Sequence, residues 1–201
     1  MGRYSGVALY GAGLVAGWGG VFRTIMRFMH HRLVILRHSK SSWSEPEPDH
    51  ARPLNKRGHR DGKAAGKWLA DNIGPIDHVL CSTATRTRLT WERAQAGGAV
   101  TVAGGDTAVH YHDEIYETEV SYFEHLVLRI PETAGTALLI GHWPGVVELA
   151  HHFATEDDHP GWSQMDKKFP TSAIAVLEFD TPWKDLADGT ARLTDFVIPR
   201  G

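Results

Sequence analysis

Cysteine is almost absent from this chain. Cys81 stands alone among 201 residues, which excludes an internal disulfide framework and any multi-cysteine zinc site and fits a reducing, cytoplasmic setting. Lying in the apolar run Val79 to Cys81, its thiol is expected to serve as packing. A dominant charge is missing too: 21 Lys and Arg against 24 Asp and Glu leave a net charge of -3. Nothing pulls the whole molecule toward nucleic acid or an anionic membrane, so any anion must be met by a local cluster of cations. Long hydrophobic runs are lacking. The stretch Val7 to Phe22 falls short of the ~20 residues a spanning helix needs and is repeatedly broken by glycine. Internal repeats and low-complexity segments are also missing.

What remains is an ordinary globular composition, 42% apolar and 22% charged, in a length that supports one sizeable core. One domain is expected over residues 30–201. Residues 1–29 differ in character, with Arg3 before and Arg23 and Arg27 after the glycine-rich apolar stretch, and are read as an extension. A weak signal peptide or an anchor is the alternative, and membrane contact is expected only if that extension is kept as an anchor. Met26 and Met29 precede the first convincing strand, so a start there leaves the domain whole.

Leu33 to Leu36 is apolar on both faces and reads as a buried strand ending at Arg37-His38-Ser39-Lys40. A proline- and acid-rich loop follows from Ser44 to Pro53, and Asn55 caps a helix running to about Asp71. Ile76 to Cys81 is a second strand, leading through Ser82-Thr83-Ala84-Thr85 into a helix from Arg86 to Ala96. Further elements are a strand near Thr107 to Tyr111, a helix over Val120 to Ile130, a strand at Ala137 to Ile140 and a helix from Pro144 to Ala154. Ala173 to Phe179 and Arg192 to Ile198 close the chain as an antiparallel pair, with a polar loop before them holding Asp157 to Pro160. Alternating strands and helices predict an α/β fold, a three-layer α/β/α sandwich with a mostly parallel central sheet.

In such folds ligands collect beyond the carboxyl ends of the strands. Arg37 and His38 follow the first predicted strand, Arg86 follows the second, and His142 follows the fourth. Taken singly, each has a plain reading as surface polarity, a helix cap or a turn residue. Three such endings in one short chain point to a shared anion site, and the strand-to-helix junction before Arg86 adds unpaired N–H groups to it.

These segments carry a resemblance. Leu33 to Trp43 with its Arg37-His38-Ser39-Lys40, Ser82 to Thr90 around Arg86, and Ile140 to Gly145 around His142 resemble the histidine phosphatase superfamily, and within it the SixA-like phosphohistidine phosphatases. Arg52-Pro53-Leu54 and Gly58 are similar to the same branch, and the likeness runs from about Leu33 to Phe179. Two positions depart from the common pattern: Ser39 stands where Gly usually follows Arg-His, a variant of the Arg-His-Gly motif, and Trp143 stands where Asn is usual.

The chemistry of the residues agrees with what the resemblance implies. Guanidinium groups suit the charge spread over a phosphoryl group in transfer, and Arg37 and Arg86 supply them. A neutral imidazole is nucleophilic, and nearby guanidinium charge keeps His38 in that form, so a phosphohistidine intermediate on His38 and its hydrolysis by water are expected. His142 is expected to be cationic beside the phosphate and to stabilise charge rather than attack. Asp113 and Glu114 are the candidates for a general acid, with solvated loop carboxylates as the plain alternative, and Arg52 is a candidate substrate contact. No cofactor and no metal are expected.

The expected substrate is a phosphorylated protein carrying phosphohistidine, or else a small phosphorylated metabolite. A non-catalytic phosphate-binding or interaction module is the rival from another class, disfavoured because all four central residues are intact. The pairs His30-His31 and His151-His152 read as surface or extension residues, since adjacent side chains do not converge on one metal. Gly97-Gly98 and Gly104-Gly105 read as turns, and Trp68, Trp91, Trp162 and Trp183 as packing.

Overall fold

The computed structural model describes residues 30–44, 46–102, 109–116 and 119–201. The expected extension over 1–29, the Gly104-Gly105 turn and the start of the third predicted strand lie outside them.

The central strand β1, His31–Arg37, is wholly buried from Leu33 to Leu36 and is flanked on both sides. Strand β4, Thr136–Gly141, pairs with it in parallel, while β6, Ile174–Phe179, pairs antiparallel. Outward from β4 lie β2, His78–Ser82, and β3, Val109–His112; outward from β6 lie β7, Ala191–Val197, and the two-residue β5, Ala154–Thr155. The order is β3-β2-β4-β1-β6-β7-β5. Among the described strands β6 alone runs against the rest, because β7 turns back from β6 and β5 follows β7 in parallel.

Period-two alternation along β1 divides the core into two layers. Val34 and Leu36 pack with Ala65, Leu69 and Trp91, beneath the helices α1, Lys56–Asn72, and α2, Thr85–Gly97. Leu33 and Ile35 face the opposite way, toward Val127, Leu149 and Met165 of α3 (Glu124–Leu128), α4 (Gly145–Phe153) and α5 (Gly161–Lys167). The three-layer architecture is the expected one. The apolar run behind Cys81 behaves as expected as well: its thiol is buried and free, and burial pushes its pKa up to about 12.

Local chemistry accounts for the element ends. Asn55 caps α1, its Oδ1 accepting from the Gly58 N–H at 2.9 Å. The same turn needs Gly58, because a Cβ there would lie 2.2 Å from the Lys40 carbonyl oxygen, in the loop that leaves β1. Gly66 lets α1 press onto α2 in the same manner, since an added Cβ would sit 1.9 Å from the Ala94 carbonyl oxygen.

Several expectations are corrected. The helix predicted over Val120 to Ile130 is a 3-10 turn at Val120–Tyr122 followed by the short α3. The polar loop after α4 contains a two-residue strand and leads into α5, whose seven residues are too few for a clear helical period. The proline-rich loop holds a 3-10 turn at Asp49–Ala51. His31 is no surface residue: it is buried, its ring 5.5 Å from Phe179 and 5.2 Å from Trp183, with Nδ1 hydrogen-bonded to the Thr181 carbonyl at 2.9 Å. Among the described residues no helix is long and apolar enough to cross a membrane.

Candidate active site

The carboxyl ends of β1, β2 and β4 bring Arg37, His38, Arg86 and His142 to one pocket, as their positions in the sequence suggested. The rings of His38 and His142 lie 5.0 Å apart, and both are buried, with 8% and 5% of their surface exposed.

The turn after β1 is held from three sides. The Ser39 N–H donates to Thr90 Oγ1 of α2 at 2.8 Å. The Ser172 N–H, just before β6, is shared between the carbonyls of Arg37 and His38 at 3.1 and 3.2 Å. Ser172 adopts φ 65, a left-handed conformation that side chains other than Gly rarely take, and its hydroxyl bonds Ser39 Oγ at 2.7 Å. Strain of this sort persists where the surroundings enforce it.

His38 Nδ1 lies 2.7 Å from the Ser39 carbonyl oxygen. A carbonyl only accepts, so Nδ1 carries the proton and Nε2 keeps its lone pair. Burial above all, together with the charges of Arg86, Arg37 and Arg52, lowers the pKa of His38 to about 3, against the raising effect of the Ser39 bond. The ring is therefore neutral at physiological pH, with a lone pair on Nε2.

Burial first, and then His38, Arg86 and Arg37, push the pKa of His142 down to about 2, so in the free protein its ring is neutral; the expected cation is one beside a bound phosphate. Its Nε2 is 2.9 Å from Ser82 Oγ, which already accepts from the Ala84 N–H at 3.3 Å. The other ring nitrogen, Nδ1, is a buried atom with no hydrogen-bond partner in the protein.

The same want of partners recurs in the arginines. Arg37 Nε, Arg86 Nε, and Nε and Nη1 of Arg52 are all buried donors without an acceptor. Buried donors are normally paired, and a group of unpaired ones around a nucleophile suits a ligand rich in acceptor oxygens. Arg52, a candidate from sequence, belongs to this group; its guanidinium also stacks 3.5 Å from the ring centroid of Trp43.

Sequence reasoning missed the residue that ties these cations together. Asp49 Oδ1 accepts from Arg52 at 2.5 Å and Oδ2 from Arg86 at 3.1 Å, while its carbonyl accepts from Arg86 Nη1 at 2.7 Å. Tyr116 donates to the same Oδ2 at 2.8 Å. Although burial acts to raise it, the Tyr116 hydroxyl and the two guanidinium groups hold the Asp49 carboxyl below the usual range. The Asp49-to-Arg52 spacing was the available signal, hidden in a loop with several other acids.

Of the two general-acid candidates, neither carboxylate contacts His38 or His142. Glu114 turns to His112, 3.9 Å away. Asp113 accepts from Thr83 Oγ1 at 2.5 Å, and Thr83 Oγ1 is in turn 2.9 Å from His50 Nε2. His50 packs against Tyr116, which packs edge-on against His142. A chain Asp113, Thr83, His50 therefore runs along the pocket mouth. Among the described residues, no group of three or more His, Cys, Asp or Glu is arranged to hold a metal ion.

A neutral imidazole ringed by guanidinium donors at the strand ends of such a sandwich suits a phosphoryl ligand. The chain belongs to the histidine phosphatase superfamily (branch 1), whose profile matches residues 33–133. It is 35% identical over 167 residues to an uncharacterized protein of Mycobacterium tuberculosis, covering 82% of this chain and all of that one. A solved structure from Nakamurella multipartitia assigned as a phosphohistidine phosphatase SixA matches with TM-score 0.72 at 29% identity, over 85% of this chain and 96% of that one. Its counterpart from Agrobacterium tumefaciens matches with TM-score 0.66 at 28% identity, over 84% and 99%. The domain is SixA-like, and the family makes it a phosphatase.

Proposed function

We propose that the protein hydrolyses phosphohistidine on a protein substrate through a covalent intermediate on His38. The observation that carries this reading is the tautomer of His38, whose proton is engaged on Nδ1 and whose free Nε2 lies among unpaired donors of Arg37, Arg52 and Arg86. The likeness to the SixA structures supports phosphohistidine as the substrate.

In the first step Nε2 attacks phosphorus, the bond to the substrate nitrogen breaks, and the leaving imidazole takes up a proton. In the second, water attacks the phosphoryl group on His38, releasing phosphate and restoring the neutral ring. The arginines hold the three equatorial oxygens throughout, and His142 donates from Nδ1 to one of them. The test is phosphate release, in the presence of a chelator, from a phosphohistidine protein and from a panel of phosphomonoesters. Preference for the former by at least about tenfold in kcat/KM supports the reading; preference for a monoester supports the small-molecule alternative; binding of phosphate with no turnover of anything would mean a binding module.

The acid function is proposed to lie with His50, which gives a proton to the leaving group while Asp113, accepting from Thr83 as Thr83 accepts from His50, holds it in place, with Glu114 outside the chain. An Asp113→Asn variant is expected to lose about 10²-fold on alkyl phosphates, whose alkoxide must be protonated, and less than about threefold on aryl phosphates with acidic leaving groups. Equal losses on both would remove Asp113 from proton transfer.

A further inference from the structure

Next to the phosphate pocket lies a second recess. Its volume is about 320 Å³, and Arg37 belongs to both compartments. Arg37 Nη1 donates to the carbonyl of Phe169 in the recess wall at 2.5 Å, so the guanidinium at the phosphate site is fixed to this wall. Val147 and the almost wholly buried Met165 and Phe169, each 1% exposed, form its apolar floor, and Trp143, directly after His142, is 58% exposed. Lys167 and Lys168 complete the wall, and the one carboxylate among its residues, Asp166, is engaged by His151 at 3.1 Å. In a chain whose net charge is -3, this recess is locally cationic.

We infer that the recess Trp143, Val147, Met165 and Phe169 receives a bulky apolar side chain close to the phosphorylated residue of a protein substrate, and that Lys167 and Lys168 select acidic residues beside it. The inference rests on the phosphohistidine reading above. A large exposed aromatic ring such as Trp143 beside a cavity marks a place where binding energy concentrates, and uncompensated lysines around it favour an acidic partner. The recess lies beside the phosphoryl site, so a substrate filling both must extend past its phosphorylated side chain, as a polypeptide does.

The test uses phosphoimidazole, which has no flanking residues, and histidine peptides phosphorylated chemically, with phenylalanine or alanine stepped through the flanking positions in either a glutamate or a lysine background. In the wild type, one register of phenylalanine in the glutamate background is expected to raise kcat/KM about tenfold. Trp143→Ala should abolish that preference while leaving phosphoimidazole turnover within about twofold, and the double charge reversal Lys167→Glu with Lys168→Glu should abolish the preference for glutamate. No phenylalanine preference in the wild type, or one that survives both variants, overturns the assignment; so does an equal loss on peptides and phosphoimidazole, which would make Trp143 a support for His142 only. A wild type inert on phosphoimidazole and all peptides fails instead at the phosphohistidine reading, and the assignment falls with it.

Discussion

Replacing His38 by alanine is expected to lower turnover by at least about 10⁴-fold on every substrate the wild type accepts, with thermal stability changed far less than activity. The ring is the one neutral imidazole of the pocket whose Nδ1 proton is committed to a backbone carbonyl, leaving Nε2 free to attack. A quenched-flow trap of wild type with labelled substrate should capture label on the protein that is stable to alkali and labile to acid, as a phosphoramidate is. The His38→Ala protein should capture none. Should the variant still form that adduct, the nucleophile is another histidine, with His142 the first to examine.

A fall in stability on mild acidification follows from the same burial. The native pKa values of His38 and His142, about 3 and about 2, lie below the 6.5 of an unperturbed histidine. The unfolded chain therefore binds protons that the native state refuses. The stability these rings contribute is complete above pH 6.5 and is lost as the pH falls from there toward the native values. Each ring costs about 1.4 kcal/mol per pH unit in that window, so the pair costs about 3 kcal/mol per unit. His78, lowered to about 4 by burial and by His110 and His112, acts in the same direction. Urea unfolding at pH 7.5, 6 and 5 measures the slope, and His142→Asn should reduce it by about 1.4 kcal/mol per pH unit. Stability that is flat across the range, or that rises on acidification, would show that one or both rings are protonated in the folded protein.

Much of this was legible in the sequence because the decisive residues sit at the ends of strongly patterned elements. The apolar run before Arg37, the one before Gly141 and the junction before Arg86 announce their strands, and strand ends are where such folds bind ligands. Tertiary pairings carry no such local mark. Asp49 looked like one acid among several until the fold set it against Arg52, Arg86 and Tyr116. His50 and Thr83 are 33 residues apart in sequence and meet only across the pocket mouth. The charge state of His142 in the free protein carries no local mark either, because the burial that keeps its ring neutral is a property of the assembled fold. The short α3 and α5 escaped because five and seven residues give too little periodicity to read.

The position of β1 has a consequence for how the site comes into being. Its neighbours in the sheet, β4 and β6, begin at Thr136 and Ile174, so the strand carrying Arg37 and His38 waits for pairings more than a hundred residues away. Closing loops of that length costs chain entropy before any contact repays it, and contacts so distant in sequence form late. The pocket thus has no local precursor. A fragment ending before β4 lacks His142, and one ending before Ser172, just ahead of β6, lacks the N–H that grips the turn at Arg37 and His38. Catalytic competence in this chain is a property of the closed sheet, gained and lost with it.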